Sequence, residues 1–360
     1  MSFTRSILLA AVATALASTA LAQAQPAAAT GTTGPTFIAG PPAGFDPLAA
    51  SDAELVRYGF PRRPDQSEPA LYSLWLRMVT APQTRLTNLT VQTTNIINGR
   101  TWDRRDLGLI GNAAQIGSDI WSGWGLNVPS GTFQLNQSVV LGDWYVPNIG
   151  SENCTYGPYY VSQWVGFDGD GNSNDVLQAG IGQTACGQST VAWYEWYTNG
   201  CTGNEPACYQ TNISLPVQPG NRVYVAVSYW TAAPHGQAYI VNQTTQQSVV
   251  VQFNQPSGNS GSSYVGDSVE WVVERPEVGG IGLPDLANYN SFQMECAATN
   301  WVNNYQPSSS PAGTLNYQIT MQCPPWNPSS ACRGTQNLSS AQLSGANYLS
   351  FSDSGPAASQ

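Results

Sequence analysis

From Trp121 to the C-terminal end, apolar residues fall at alternate positions in one short run after another. TFQLNQSVVLGDWYVP, NRVYVAVSYW, AYIVN, SVVVQF and a last run around NYLSF are such segments, and PG-N, NQTTQQ and PSGNSGSS separate them. A period of two puts every second side chain on one face of a strand, and Gly, Pro, Asn and Ser supply the turns between strands. No amphipathic helical pattern interrupts the series. A stretch of about 200 residues built this way predicts an all-β domain: a two-sheet antiparallel β-sandwich, jelly-roll or concanavalin-like, rather than a parallel sheet.

The N-terminal part reads differently. MSFTR, then SILLAAVATALASTA, then Ala20-Leu21-Ala22 form the charged, apolar and small-residue regions of a secretory signal peptide over residues 1–22. Secretion, to the exterior or a periplasm, is the expectation. Residues 23 to about 45 are rich in Ala, Pro, Gly and Thr. In SDAELVRYGF, Ser51 and Glu54 have capping-box spacing and Gly59 is a stop, so a short helix is predicted. ALYSLWLRMVT, 70–80, predicts a second. The leader 23–110 is thus a short, partly helical segment ahead of the β-sandwich domain at 111–360.

Charge separates the two parts further. The chain has no lysine, and nine of its 12 Arg precede residue 106. From Asp106 onward three Arg face 16 acids, a net of −13. A surface so poor in cations excludes recruitment of nucleic acid or anionic lipid by charge. Such a chain approaches neutrality in acid, where a lysine-rich one acquires a large positive charge, so the composition suits an acidic exterior. The Arg-bearing leader is either a propeptide whose positive charge pairs with the acidic domain or an arm that stays attached.

Seven Cys in an exported chain imply disulfides with one thiol left over. Cys201 and Cys208, and Cys323 and Cys332, are near enough in sequence to staple local loops; the pairing of Cys154, Cys186 and Cys296 is open. No CxxC occurs and His235 is the lone histidine, which excludes the usual zinc sites and leaves little for Ser-His or Cys-His catalysis. Asp168, Asp170, Asn172 and Asn174 begin like an EF-hand, but Ser173 and Ala179 occupy the positions that need Gly and Glu. That leaves a Gly/Asn-rich hairpin turn, or a calcium loop of another kind. No metal or cofactor is expected.

Strand parity gathers acids and aromatics on common faces. In QWVGFDG, Trp164 and Asp168 project together past Gly166. In VAWYEWY, Trp193 shares a face with Glu195, with Tyr194 and Trp196 opposite. In SVEWVVERP, Glu270 and Glu274 share a face, with Trp271 and Val273 on the core side. Flat rings beside carboxylates suit a groove for an extended polymer.

WVGFDG, LQAG, AWYEWY and VEWVVERP, in that order, resemble the eqolisins, or glutamic peptidases. SGWG, GDWYVP and LANYNSF extend the likeness over about residues 121–320, and SDAELVRYGFPRRPD is similar to the leader of bacterial-type relatives. The resemblance implies a two-sheet sandwich and peptide-bond hydrolysis in acid by a Gln and a Glu. By motif these are Gln178 and Glu274. It also implies groove roles for Trp124, Trp164, Asp168, Trp193 and Glu195. Two positions depart from the family pattern, Val191 where many relatives have an acid and Gly123 where they often have Asn. The implied partners are polypeptide substrates and the chain's own leader, on a monomer. The rival readings are a carbohydrate-binding sandwich and a glycoside hydrolase using two carboxylates such as Glu195 and Glu274.

Overall fold

The computed structural model describes residues 34–99, 104–110, 113–152, 154, 155, 157–170, 173, 175–198, 208–256, 264–323 and 337–354. The signal-peptide segment 1–22 lies outside them. Two curved sheets pack face to face. In the first, the order of strands is Thr36–Phe37, Gln247–Phe253, Gly236–Asn242, Arg222–Tyr229, Ser138–Tyr145, Phe292–Thr299, Tyr348–Asp353 and Asn337–Leu343, every pair antiparallel. In the second it is Val91–Thr93, Thr211–Ile213, Ser189–Tyr197, Val176–Thr184, Tyr159–Phe167, Ser268–Glu274, Trp121–Asn127, Leu315–Gln322, Ala113–Ser118 and Arg104–Ile110. Only the pair Leu315–Gln322 with Ala113–Ser118 is parallel in that series. Asn337–Leu343 pairs with Leu315–Gln322 as well, so the two sheets join along one side.

The inner faces interdigitate in a core that includes Trp144, Val165, Phe167, Tyr194, Trp196, Val225, Ile240, Val251 and Trp271. The outer face of the first sheet is also buried. Val139, Leu141, Tyr224, Ala226, Tyr239, Val241 and Val250, each one residue out of phase with the inner set, pack beneath the N-terminal segment. Runs such as VYVAV and VVV therefore have no solvent face to make polar. The molecule has three layers where a plain sandwich has two.

That third layer forms as its sequence dictates. Helix α1, Asp52–Arg57, is capped by Ser51, whose Oγ accepts from the Glu54 N–H, while the Glu54 carboxylate accepts from the Ser51 N–H at 2.8 Å. It stops at Gly59, with φ +74°, where a Cβ would stand 2.7 Å from Val250. Helix α2, Pro69–Thr80, starts on Pro69 and buries Leu71, Leu74, Trp75, Met78 and Val79, one helical stripe. Arg77 pairs with Asp143 and Glu295 of the sheet beneath. The expected charge match between leader and domain is therefore local. Arg62 pairs with Asp52 of its own segment, Arg63 donates to the carbonyls of Pro47 and Ala50, and Arg85 lies over the rings of Phe60 and Tyr239. Apolar burial, more than charge, attaches the segment.

Cys154 and Cys186 form a disulfide and Cys296 is a buried free thiol. Cys208 and Cys323 are also disulfide-bonded; Cys201 and Cys332, expected from the sequence to staple local loops with them, lie outside the described residues. No helix among the described residues is long and apolar enough to cross a membrane.

Candidate active site

The outer face of the second sheet carries the acids and rings. In register, Glu195, Gln178, Gly166 and Glu270 sit side by side across four adjacent strands. A neighbouring row holds Trp193, Gly180, Trp164 and Val272, and a third sets Ser162 and Trp121 on either side of Glu274. The glycines make this spacing feasible: a Cβ on Gly166 would stand 3.0 Å from the Gln178 Cβ and 3.1 Å from the Trp164 ring. Trp121, Trp164, Trp193, Val176, Tyr197, Val272, Tyr317 and Ile319 pack together on this face.

The face is not open. Residues 91–99 cross it. Val91–Thr93 extends the sheet beside Thr211–Ile213, and Ile96–Ile97 pairs with Glu277–Val278. Asn98 and Gly99 follow, both buried. The Asn98 carbonyl accepts from Gln178 Nε2 at 2.8 Å. The Gly99 N–H donates to Glu274, at 2.9 Å to Oε1 and 3.1 Å to Oε2. One peptide group is thus held between the two side chains. The trans geometry of a peptide puts its carbonyl and N–H on opposite edges, so Gln178 and Glu274 straddle it. The Asn98 N–H donates to Glu195 Oε2 at 3.1 Å, and its Nδ2 donates to Glu195 Oε2 at 2.9 Å and Gln210 Oε1 at 3.0 Å.

Beneath this segment the carboxyls are dry. Burial pushes Glu274 up to about 8, against the hydrogen bonds of the Gly99 N–H, Trp121 and Trp164, which favour its anion; Asp119 adds to the rise. Burial also raises Glu195 well above the carboxylate range, opposed by the Asn98 hydrogen bonds and reinforced by Glu274. Glu270, raised by burial as well, accepts from the Tyr317 hydroxyl at 3.5 Å. The Oε1 of Gln178 is buried and accepts no hydrogen bond from a described residue.

Of the residues singled out in sequence, Gln178, Glu274, Trp164, Trp193 and Glu195 meet on this face. Two do not. Trp124 lies three residues beyond Trp121, so it points the other way, into the inter-sheet core opposite Trp271; Trp121 is the ring that lies beside Glu274 on the outer face. Asp168 follows the last residue of its strand and has φ +64°, which ends the alternation that would have set it beside Trp164. Its carboxyl instead accepts from the N–H groups of Val265, Gly266 and Asp267 at 2.6, 3.0 and 2.9 Å. Sequence reasoning also missed Asn98 and Gly99. The Asn-Gly pair in TTNIINGR is a turn signal, but nothing local says which surface the turn will meet. No cluster of metal-binding side chains occurs among the described residues; part of the Asp168–Asn174 loop lies outside them.

The sequence profile of the Peptidase A4 family matches residues 119–339. The chain belongs to the Peptidase A4 family. Its match covers the second sheet from the turn before Trp121 through Glu274 and on into Asn337–Leu343, so the eqolisin resemblance holds. This A4 chain is 34% identical to aspergillopepsin-2 of Aspergillus niger over 158 residues, 42% of this chain and 50% of that one. It is 30% identical to scytalidopepsin B of Scytalidium lignicola over 111 residues, 31% of this chain and 38% of that one. The A4 chain thus spans half or less of the length of these curated relatives. A crystal structure of scytalido-glutamic peptidase with a transition state analog inhibitor covers 65% of this chain and 98% of that chain, at 21% identity and TM-score 0.48.

Proposed function

We propose that the protein is a secreted endopeptidase that hydrolyses peptide bonds in acid, with Glu274 as general base and then acid, and Gln178 as the donor that stabilises the oxyanion. The observation that carries this reading is the Asn98–Gly99 peptide group held between the two side chains. The Gln178 amide donates where a tetrahedral intermediate would carry its negative oxygen. Its Oε1, which accepts from no described residue, suits the attacking water. Glu274 takes the water's proton as the oxygen bonds to the carbonyl carbon, then returns it to the departing nitrogen, which it already contacts. A neutral carboxamide opposite Glu274 lets that acid ionise without a like charge beside it, as two aspartates could not.

Glu274 must lose its proton to act as a base. The value of about 8 belongs to the covered groove; water admitted to the site relieves the burial that causes it. Residues 91–99 form a cover over the groove, continuous in the chain with the segment whose helices pack on the opposite sheet. Membership of a peptidase family, and a peptide rather than a sugar lying across the carboxyls, favour this reading over a lectin or a glycoside hydrolase.

Incubation with denatured protein at about pH 3 tests it, since a base active in acid defines the activity. Cleavage should occur, and should fall by ~10²-fold or more in both Gln178→Ala and Glu274→Gln. Unchanged cleavage in either variant would remove that residue from the mechanism.

A further inference from the structure

Most of the groove's contacts are made by the chain to itself. We propose that the Asn98–Gly99 bond is the protein's own first substrate, hydrolysed within the same molecule to free the groove. The inference rests on the peptidase reading and adds to it the bond, the direction of the chain and the group that recognises it.

Each part of the machinery is already in contact with its counterpart in this bond. The carbonyl oxygen lies 2.8 Å from the Gln178 donor, and the nitrogen that would leave lies 2.9 Å from the acid that would protonate it. Catalytic groups and reacting bond held at such distances turn a bimolecular step into a unimolecular one. On the acyl side, the Asn98 side chain is gripped by Glu195 and Gln210, so Asn98 occupies the pocket that reads the residue before the cut. On the amine side the chain must leave a crowded floor. Gly99 has φ +78°, and a Cβ there would stand 2.7 Å from both Gln178 Nε2 and a Val176 methyl. Only glycine presents this bond without displacing the glutamine that acts on it.

The step balances with one water. Its oxygen bonds to the Asn98 carbonyl carbon and one proton passes to Glu274. The carbon–nitrogen bond then breaks, and that proton goes to the Gly99 nitrogen. The products are an α-carboxyl on Asn98 and an α-amine on Gly99. Before the cut, residues 91–93 and 96–97 are held by strand pairing on either side of the groove. Afterwards the new carboxyl stands beside Glu195 and Glu274, the second of which already raises the first, which disfavours its remaining there once ionised. Because the covered Glu274 is mostly protonated in acid, the cut proceeds through a small ionised fraction and is slow beside turnover of an outside substrate.

The test is to incubate the purified full chain in acid and follow intact masses and new N-termini, with hydrolysis of denatured protein measured in parallel. The expected products end at Asn98 and begin at Gly99. They should form with a first-order rate unchanged by 100-fold dilution, slowed ~10²-fold or more in Glu274→Gln. Gly99→Val, which cannot seat the bend, should not be cut at this bond, yet should hydrolyse denatured protein without the lag of the parent chain. Two results would overturn the proposal. One is a parent chain that hydrolyses denatured protein while Asn98–Gly99 stays intact. The other is cutting at this bond that persists at full rate in Glu274→Gln, the signature of spontaneous attack by the Asn98 side-chain nitrogen on its own carbonyl carbon, which expels the Gly99 amine and leaves a C-terminal succinimide. Failure of the peptidase reading is distinct: Gly99→Val would then leave denatured protein untouched.

Discussion

The indole N–H of Trp164 donates to Glu274 Oε2 at 2.7 Å. Both groups are fully buried, and the bond is among the few that favour the Glu274 anion against the burial that opposes it. On the proposed mechanism the tryptophan then belongs to the base as much as to the groove wall.

Replacing Trp164 by Phe keeps the ring and removes this donor. Without it Glu274 holds its proton to higher pH, so the acidic limb of kcat against pH should move up, with a loss of ~10-fold or more at the lowest pH where the parent works, the scale of one charge-assisted hydrogen bond. A pH profile on a peptide substrate checks this. A uniform drop with an unmoved limb would mean that Trp164 acts by packing alone.

Glu195 gives a prediction about selectivity. It and Gln210 receive the Asn98 carboxamide, and buried groups of this kind discriminate strongly against a side chain that cannot pair with them. Peptides with Asn on the acyl side of the cut should be preferred over those with Leu. Glu195→Ala should raise KM for the Asn peptide about tenfold while changing that for the Leu peptide little, one hydrogen bond to a charged or polar partner being worth ~1.5 kcal/mol. Equal effects on both peptides would remove Glu195 from recognition.

These two cases mark what was legible in the sequence. The period-two runs, the capping box at Ser51 and the stripe of helix α2 are local properties, and each formed where local physics places it. Parity put Trp193 and Glu195 on one face and Tyr194 and Trp196 on the other, because that strand is regular throughout. The same rule misplaced Asp168, since a single residue at positive φ ends the count, and no pattern in GFDGDG announces it. Trp124 was assigned by resemblance, whereas parity from Trp121 would have turned it inward. The burial of the outer sheet face joins segments far apart in the chain, and the seating of Asn98–Gly99 joins residues 80 and 175 positions apart. A sequence without a fold does not carry them.

Asp168 should prove structural. Its carboxyl satisfies three consecutive backbone N–H groups, and removing it leaves buried donors unpaired at ~1–3 kcal/mol each, partly offset by no longer burying an acid that is itself pushed up to about 7. Asp168→Ala is expected to lose about 2–4 kcal/mol in urea unfolding. KM of the remaining folded enzyme should be close to that of the parent. A large KM change without loss of stability would return Asp168 to the substrate groove.

The buried acids also set the direction in which pH acts on the fold. Burial raises Glu274 from 4.5 to about 8 and Asp168 from 3.8 to about 7, and raises Glu195 and Glu270 well above the usual range. Between its unfolded and folded values each group holds a proton in the native state and has lost it in the unfolded chain, so rising pH favours unfolding. The contribution to stability is complete below the unfolded values. It is lost as pH climbs toward about 7 for Asp168 and about 8 for Glu274, at a slope of up to ~1.4 kcal/mol per pH unit for each group. The protein should therefore melt at a higher temperature at pH 4 than at pH 8, the reverse of a protein whose carboxylates are salt-bridged. Calorimetry on Glu274→Gln, which on the proposed mechanism does not digest itself, measures the share of the effect that Asp168, Glu195 and Glu270 contribute. Adding Glu270→Gln should flatten the dependence further, because that position then has no proton to release. A melting temperature level or rising from pH 4 to 8 would show that these carboxyls are ionised in the folded chain.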